Sequence, residues 1–124
     1  MNDDVSDARS IADRYHRAWT SKRFDDAAAL LAADLKVEVP INSYPTRESF
    51  AQALAAFGGM AERVELLAEF ANGPEAMLLY DMVVPPLGTL RVAEHFTVHG
   101  GRIWRLRQIH DTAPVRAAGF GSGE

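Results

Sequence analysis

The second half of the chain holds the feature that most constrains the fold, a close succession of four candidate strands. Each has the alternating or β-rich pattern of a strand: residues 62–71, 76–84, 89–98 and 102–110. Short turn sequences separate these strands, and Asn72-Gly73 among them is a strong hairpin signal. Connections this short join antiparallel neighbours, so the sequence predicts a four-stranded antiparallel meander.

Two helices are predicted at the start of the chain. Apolar side chains recur at helical spacing on one face of the first: Ala8, Ile11, Ala12, Tyr15, Ala18 and Trp19. Asp4 or Ser6 is a suitable residue to cap this helix, and a break follows at residues 21–23. The same spacing predicts a second, shorter helix from Phe24 to Leu31.

A strand and a third helix lie between these helices and the meander. The alternation of apolar and charged residues over 35–39 predicts a strand that Pro40 ends. Thr46 is a suitable N-cap for a third helix, which the glycines at 58–59 terminate. Helices at one end of a sequence and strands at the other indicate the α+β class. We predict a cone-shaped α+β barrel, with three N-terminal helices packed on a strongly bent, mainly antiparallel sheet around an apolar pocket.

Composition sets the limits of this prediction. A chain of 124 residues with 48% hydrophobic and 24% charged residues is expected to form a single globular domain. We place its core at about residues 7–111 and expect 112–124, which are rich in Ala and Gly, to be a loose tail. The absence of cysteine excludes disulfides and a thiolate nucleophile.

Charge and hydropathy exclude several classes of partner. The net charge of −4 argues against nucleic-acid binding, which usually needs a basic surface. No apolar run approaches the roughly 18 residues of a membrane span, so no membrane partner is expected. The N-terminus has no basic-then-apolar signal pattern. These features together favour a cytoplasmic protein.

Glu94 breaks the pattern of its strand and is the most informative position. Its neighbours two residues away, Val92 and Phe96, belong to the apolar face, and parity places Glu94 on that face with them. A carboxyl group there must be paired, reach water in a cavity or be neutral. The position therefore predicts either a functional acid in the pocket or a structural ion pair.

The hairpin at residues 99–101 has two possible registers. A three-residue turn pairs Val98 with Arg102 and gives Glu94 a set of companions on its face: Trp104, Leu106, Gln108 and His110. A two-residue turn slips the register by one and sets Glu94 opposite Arg107 as an ion pair. We prefer the first register because it groups the apolar side chains of the two strands.

The turn at residues 86–88 sets the register of the preceding strand in the same way. A three-residue turn there places Tyr80 across from Glu94, with Met82 on the same face. Asp81 then points outward, although a slip of one residue would bring it into the pocket.

The order of elements resembles the nuclear transport factor 2-like superfamily, which has a cystatin-like fold. The resemblance covers about residues 7–111. It rests on the run 24–35 before a strand ending in Pro40, on Thr46-Arg47-Glu48 at the start of helix three, and on Gly101-Arg102-Ile103 at the last strand. This superfamily includes SnoaL-like polyketide cyclases, ketosteroid isomerase and limonene epoxide hydrolase. Such motifs specify a fold better than a reaction.

The resemblance implies roles for particular residues. Tyr15 falls where ketosteroid isomerase keeps an oxyanion-hole tyrosine, and Glu94 falls where it keeps a neutral carboxylic acid that donates a hydrogen bond. Val39 stands where that family has its catalytic Asp, which argues against ordinary steroid isomerisation. Gln108 stands at an acid position of limonene epoxide hydrolase. SnoaL-like cyclases use a pocket acid or His as base, a role open to His110 or Asp81.

We accordingly expect an isomerase- or cyclase-type enzyme acting on a hydrophobic carbonyl or polyketide-like compound. The candidate catalytic residues are Glu94, Tyr15, His110 and Asp81. The candidate ligand-binding residues are Tyr80, Gln108, Trp19, Phe96, Leu106, Met82, Val39 and Phe57. The alternatives are a non-catalytic domain that binds a hydrophobic ligand, an epoxide-hydrolase-like enzyme, and a partner-binding domain in which the pocket is filled.

The remaining polar residues are assigned to surfaces. His16, His95 and His99 are expected at the surface, and no spacing of metal ligands is present. The glycines of residues 119–123 lack the strand and helix that a phosphate loop needs, so no cofactor is expected. The outer sheet face is predicted to contain Arg91, Arg105, Arg107, His95, Ile103 and Ile109. Mixed arginine and apolar residues are usual at dimer contacts, and with the resemblance they favour a homodimer through this face.

Overall fold

Five strands form one curved, open sheet that carries the helices. The structure is a computed structural model, and it describes residues 7–119. Its elements in chain order are α1 (Ala8–Thr20), α2 (Phe24–Ala28), β1 (Leu31–Glu38), α3 (Arg47–Gly59), β2 (Arg63–Asn72), β3 (Glu75–Val84), β4 (Gly88–His99), β5 (Arg102–His110) and α4 (Ala113–Ala117). The α+β class and the bent sheet are confirmed.

The strand order across the sheet is β1-β5-β4-β3-β2. The predicted meander is confirmed, because β2 to β5 pair antiparallel in sequence order. β1 pairs with β5 in parallel and forms one edge, and β2 forms the other. The two edges do not join, so the sheet bends around the helices without closing into a barrel.

The helix starts follow capping chemistry, with one correction. Asp7 caps α1, and its side chain accepts a hydrogen bond of 3.1 Å from the Arg9 backbone N–H. The predicted caps, Asp4 and Ser6, lie outside the described residues. Thr46 caps α3 as predicted, in a reciprocal capping box with Ser49.

The end of α3 lies against the first two helices. A Cβ atom at Gly58 would lie 3.1 Å from the ring of Phe24 and 3.3 Å from that of Trp19. The absence of a side chain at Gly58 therefore allows α3 to approach this closely. α2 is shorter than predicted, because it ends at Ala28 and Leu31 is already the first residue of β1, where it is fully buried.

The hairpin between β4 and β5 differs from the preferred register. His99 pairs with Arg102 across a two-residue turn, so the three-residue turn is wrong. A bulge at Trp104 then shifts the pairing by one residue. Glu94 consequently lies opposite Gln108 and not opposite Arg107. The two deviations together move the pairing by two residues from the preferred register, so the side chains of β5 beyond the bulge keep their predicted faces while their exact partners differ.

The bulge also changes which side chains of β5 point inward. Ile103, predicted on the outer face, is fully buried. Trp104 is half-buried, and the Arg105 guanidinium carbon lies 5.0 Å from the centre of its ring. Beyond the bulge, Leu106 and Gln108 face inward as predicted.

The segment after β5 is partly ordered, which corrects the expectation of a loose tail. Residues Ala113–Ala117 form α4, a short helix with Pro114 in its first turn. Val115 on this helix is buried and adds to the apolar interior. Residues 120–124, with most of the glycine-rich run, lie outside the described residues. Between residues 7 and 119, no helix has the length and apolar character to cross a membrane.

Candidate functional site

Glu94 lies in the interior, on the concave face of β4. Its neighbours on that face, Val92 and Phe96, are 3% and 0% exposed, and Glu94 itself is 1% exposed. The prediction from strand parity is thus confirmed: the alternation of β4 forces a carboxyl group into an apolar layer.

Two side chains satisfy the Glu94 carboxyl group. The Tyr80 hydroxyl donates to Oε1 at 3.0 Å, and the Gln108 amide nitrogen donates to Oε2 at 2.8 Å. Gln108 lies directly opposite Glu94 on β5. Leu78, not Tyr80, lies opposite Glu94 on β3, so the predicted pairing is wrong by two residues. Tyr80 stays on the same face, and its long side chain reaches the carboxyl group diagonally.

Burial sets the electrostatics of this group. Desolvation raises the pKa of Glu94 to about 7, although the hydrogen bonds from Gln108 and Tyr80 work in the opposite direction. The pKa of Tyr80 is raised well above its ordinary value of 10.0, first by burial and then by the nearby Glu94. Near neutral pH, Glu94 therefore exchanges between its charged and neutral forms while Tyr80 keeps its proton.

An apolar cavity of about 440 Å³ opens beside this group. Glu94 and seven other predicted residues lie in its wall: His110, Tyr80, Gln108, Trp19, Met82, Val39 and Phe57. The rest of its wall comes mostly from the loop after β1, from α3, and from Val115 of α4. Among the described residues that line this cavity, none is a lysine or an arginine.

Three of the predicted residues lie in the core and not at the cavity: Tyr15, Phe96 and Leu106. Tyr15 is fully buried and packs edge-to-face on Phe96, with 5.6 Å between ring centres. Its hydroxyl has no hydrogen-bond partner within residues 7–119. Burial, and then Glu94, raises the pKa of Tyr15 well above 10.0, so it stays neutral. Tyr80, and not Tyr15, is the tyrosine that is hydrogen-bonded to Glu94.

Asp81 lies on the convex face of the sheet, away from the cavity. It pairs there with Arg91, whose Nε and Nη2 donate to its two carboxylate oxygens at 2.7 and 2.9 Å. This salt bridge lowers the pKa of Asp81. The outward alternative for Asp81 is therefore the one that the structure adopts, and the residue does not join the other candidates.

His110 lies two residue pairs along the sheet from Glu94, on the same face and opposite Val92. Its Nδ1 is 3.0 Å from the carbonyl oxygen of Asp111, which can only accept a hydrogen bond. Nδ1 must therefore carry a proton, and in the neutral ring Nε2 is the nitrogen with a free lone pair. The ring borders the cavity and has the chemistry of a general base.

His16 is a residue that the sequence analysis placed wrongly. It is 6% exposed, and its ring contacts Trp19 and Tyr80 at centre distances of 5.5 and 4.9 Å. Burial lowers the pKa of His16 to about 4, so it is neutral at physiological pH. Its spacing of four from Ala12 and three from Trp19 was the available signal.

The loop after β1 contributes side chains that no sequence pattern indicated. Ile41 has a φ of 78°, and the Asn42 N–H donates to the Pro40 carbonyl at 2.8 Å, which makes a γ-turn of the strained kind. This turn brings Ile41 and Asn42 into the cavity wall together with Tyr44. A β-branched residue gives no sign in sequence that it adopts a positive φ.

The comparisons with known proteins agree with this geometry. The sequence model of the SnoaL-like domain family matches residues 12–106. No curated protein sequence matches the chain significantly. A solved structure from Kribbella flavida DSM 17836 is 33% identical over 91% of this chain and 93% of that one, with a TM-score of 0.85.

Two further solved structures are similar at lower identity. A steroid delta-isomerase from Pseudomonas aeruginosa is 16% identical with a TM-score of 0.77, covering 94% of this chain and 88% of that one. An LEH-like epoxide hydrolase from M. tuberculosis is 22% identical with a TM-score of 0.70, covering 89% and 86%. At these identities the likeness is one of fold, which hosts several reactions.

Proposed function

The chain belongs to the SnoaL-like domain family, and from its cavity we propose that it is an isomerase- or cyclase-type enzyme for an uncharged, hydrophobic carbonyl compound. One observation carries this proposal: the carboxyl group of Glu94, buried at the wall of an apolar cavity between Tyr80 and Gln108. Buried acids with shifted pKa values cluster at functional sites.

The proposed reaction is enolisation. His110 Nε2 removes a proton from the carbon next to the carbonyl, and the C–H electron pair forms the C=C bond of the enolate. With Glu94 neutral, a hydrogen-bond donor of the group Tyr80, Glu94 and Gln108 stabilises the oxygen on which negative charge develops. Diagonal neighbours on a sheet are roughly 7–8 Å apart, which leaves room for a small ketone between the two groups. A donor of this kind contributes about 3–4 kcal/mol to lowering a barrier.

The side chains that line the cavity favour an uncharged ligand. An anionic ligand would meet no lysine or arginine among the described lining residues, and it would lie beside the Glu94 carboxylate. Aromatic and aliphatic side chains, among them Trp19, Phe57 and Met82, would cover a ring compound instead. The proposal is therefore restricted to neutral substrates.

Hydrogen–deuterium exchange at the α-carbon of 2-tetralone tests the enzyme directly. We expect exchange faster than in buffer, and a loss of about 100-fold in Glu94→Gln and in His110→Asn. Tyr15→Phe and Asp81→Asn are matched controls and should retain the rate, because neither residue lines the cavity. Exchange no faster than in buffer, or equal loss in the controls, would reject the enolisation proposal.

A non-catalytic ligand-binding domain is the second candidate, and Val39 favours it. Val39 lies in the cavity wall at the position where the resemblance expects the basic Asp of ketosteroid isomerase. If 2-naphthol binds and Tyr80→Phe weakens its binding while exchange stays at the buffer rate, this second function replaces the first. An epoxide hydrolase is less favoured, since Gln108 replaces an acid and Asp81 is on the convex face.

We also propose that two copies pair through the convex face of the sheet. This face exposes Phe70, Met77 and Ile109, at 69%, 41% and 70%. It carries Arg107 of β5 and Glu75 of β3 on the two sides of β4, so a twofold axis could match each cation with a carboxylate of the other copy. Light scattering should give a dimer for the wild type and a monomer for Ile109→Glu. A wild-type monomer at high concentration would reject this interface.

A further inference from the structure

Gln108 is the hydrogen-bonding neighbour of Glu94 that can change the group it presents to the cavity by turning its side-chain amide over. Its amide offers two N–H donors on one side and an acceptor oxygen on the other. Rotation by 180° exchanges these two groups in nearly the same space. Gln108 also lies in the wall of the cavity, so the group that does not face Glu94 is available to a ligand.

We propose that Gln108 sets the hydrogen-bonding polarity of the cavity, presenting its amide oxygen to a ligand when Glu94 is charged and its amide nitrogen when Glu94 is protonated. The inference deepens the proposed function and rests on it, because it requires a ligand in the cavity. It assigns a specificity-determining role to Gln108, which the sequence analysis gave only as a candidate ligand-binding residue on the Glu94 face.

The arrangement in the structure is that of the charged acid. A carboxylate can only accept, and both of its neighbours donate to it, Tyr80 at 3.0 Å and the Gln108 nitrogen at 2.8 Å. One N–H group of Gln108 is thereby used, and the amide oxygen is the group that faces away from Glu94. In this state the cavity offers an acceptor, which suits a ligand hydroxyl or N–H group.

Protonation of Glu94 makes the second arrangement the better one. A proton on Oε2 would collide with the Gln108 N–H at the present separation of 2.8 Å. Turning the amide over lets Oε2–H donate to the Gln108 oxygen, while Tyr80 still donates to Oε1. The Gln108 nitrogen is then free to donate to a ligand carbonyl. Since burial leaves the pKa of Glu94 at about 7, both arrangements are populated near neutral pH.

The other groups around Glu94 do not interfere with this exchange. Tyr80 of β3 and Tyr15 of α1 have pKa values raised well above 10.0 and stay neutral. His16 of α1, whose ring contacts that of Tyr80, has a pKa lowered to about 4 by burial. His110, the neighbour along β5, is the remaining titratable group, and the experiment controls for it.

The substrate class follows from this reversal. The keto form of an enolisable carbonyl compound accepts a hydrogen bond at its oxygen, whereas the enol form donates one. A site that presents either polarity can hold both forms through the same side chain. We therefore assign the cavity to compounds that interconvert between keto and enol forms, and not to ligands with a single fixed polarity.

Two uncharged probes of opposite polarity test the inference on the full chain. 2-Acetonaphthone only accepts hydrogen bonds, and the N–H group of indole only donates. As the pH rises through about 7, the ratio of their dissociation constants should shift at least tenfold in favour of indole. Gln108→Met and Glu94→Gln should each remove the shift, whereas His110→Asn should keep it.

Each other outcome has a distinct meaning. If both probes bind at a constant ratio, or if the shift persists in Gln108→Met, the role of Gln108 is overturned while the cavity remains a ligand site. If neither probe binds, the proposed ligand-binding function is rejected, and the inference about Gln108 is rejected with it. The side-chain amide resonances of Gln108 in the wild type give a second readout: they should move with the titration of Glu94, and pH-independent resonances overturn the inference even if the variants do not fold.

Discussion

Two hydrogen-bonded triads lie back to back on β3, β4 and β5. The inner triad, on the concave face, comprises Tyr80, Glu94 and Gln108. The outer triad, on the convex face, comprises Glu75, His95 and Arg107. In each, a central titratable residue of β4 is held from both sides, and the two central residues are neighbours in sequence.

The triads differ in burial more than in connectivity. Glu94 is 1% exposed, whereas the carboxyl side chain of the outer triad, Glu75, is 56% exposed. His95 Nε2 lies 2.7 Å from Glu75, a contact as short as any in the inner triad. Hydrogen bonds of similar length can therefore contribute very different amounts to the stability of the fold, because water solvates the outer carboxylate and not the inner one.

The largest expected effect is on how stability depends on pH. The folded chain holds the Glu94 proton up to about pH 7, whereas the unfolded chain releases it near 4.5. The folded state therefore binds more protons in this window, and the contribution of Glu94 is full below pH 4.5 and lost as the pH rises through 7. The loss is roughly 3 kcal/mol. Urea unfolding of the wild type and Glu94→Gln should diverge by this amount across the window.

The same comparison at every pH provides the control. Glu94→Gln keeps the shape of the side chain and removes its titration. A constant difference between the two proteins would mean that Glu94 has an ordinary pKa, and the energetic contrast between the triads would disappear.

His16 should make stability depend on pH in the direction opposite to that of Glu94. Burial lowers its pKa from 6.5 to about 4, so its contribution to stability is full above pH 6.5 and is lost as the pH falls towards 4. This loss is again roughly 3 kcal/mol. The slopes of His16 and Glu94 oppose each other between pH 4.5 and 6.5, so the wild-type curve should be nearly flat there.

His16→Phe separates the two contributions. Phenylalanine keeps the ring contacts with Trp19 and Tyr80 but cannot titrate. The stability of this variant should fall steadily as the pH rises from 4.5 to 7, which circular dichroism during urea titration would show. A wild-type curve that falls as steeply as that of the variant would contradict the buried placement of His16.

Tyr80→Phe should have an intermediate effect. It removes a donor to Glu94, and since that hydrogen bond lowers the pKa of Glu94, the pKa should rise further. The cost in stability should be about 1–3 kcal/mol when Glu94 is charged and smaller when it is protonated. Tyr15→Phe is the matched control, because it removes a buried hydroxyl that has no partner within residues 7–119. Equal costs for the two variants would remove the distinction between cavity and core.

Much of this contrast could be predicted from the sequence. Side chains alternate strictly between the two faces of a strand. Glu94 therefore had to lie on the same face as Val92 and Phe96, and His95 had to lie on the other face of the sheet. Hairpin signals of the Asn72-Gly73 type fixed the meander. Parity was correct for Tyr80, Gln108 and Asp81, even where the exact pairing was not.

Tertiary packing decided the features that could not be predicted. The bulge at Trp104 depends on how β5 bends between β1 and β4, and no single residue marks it. A helix pattern shows that Tyr15 is buried, but not whether core or cavity lies beyond it. The ordering of Val115 likewise depends on apolar surface that distant segments provide.

The smallest expected effect belongs to the outer triad and tests the comparison most sharply. Glu75→Gln removes the charge beside His95 and should change the free energy of unfolding by no more than about 1 kcal/mol, less in high salt. Chemical denaturation of this variant and of Glu94→Gln would compare the two faces directly. A large effect that grows with protein concentration would mean that a second copy shields the convex face and excludes water from the outer triad. The contrast between the two triads would then be lost at high protein concentration and would return on dilution, when the copies separate and water reaches the outer triad again.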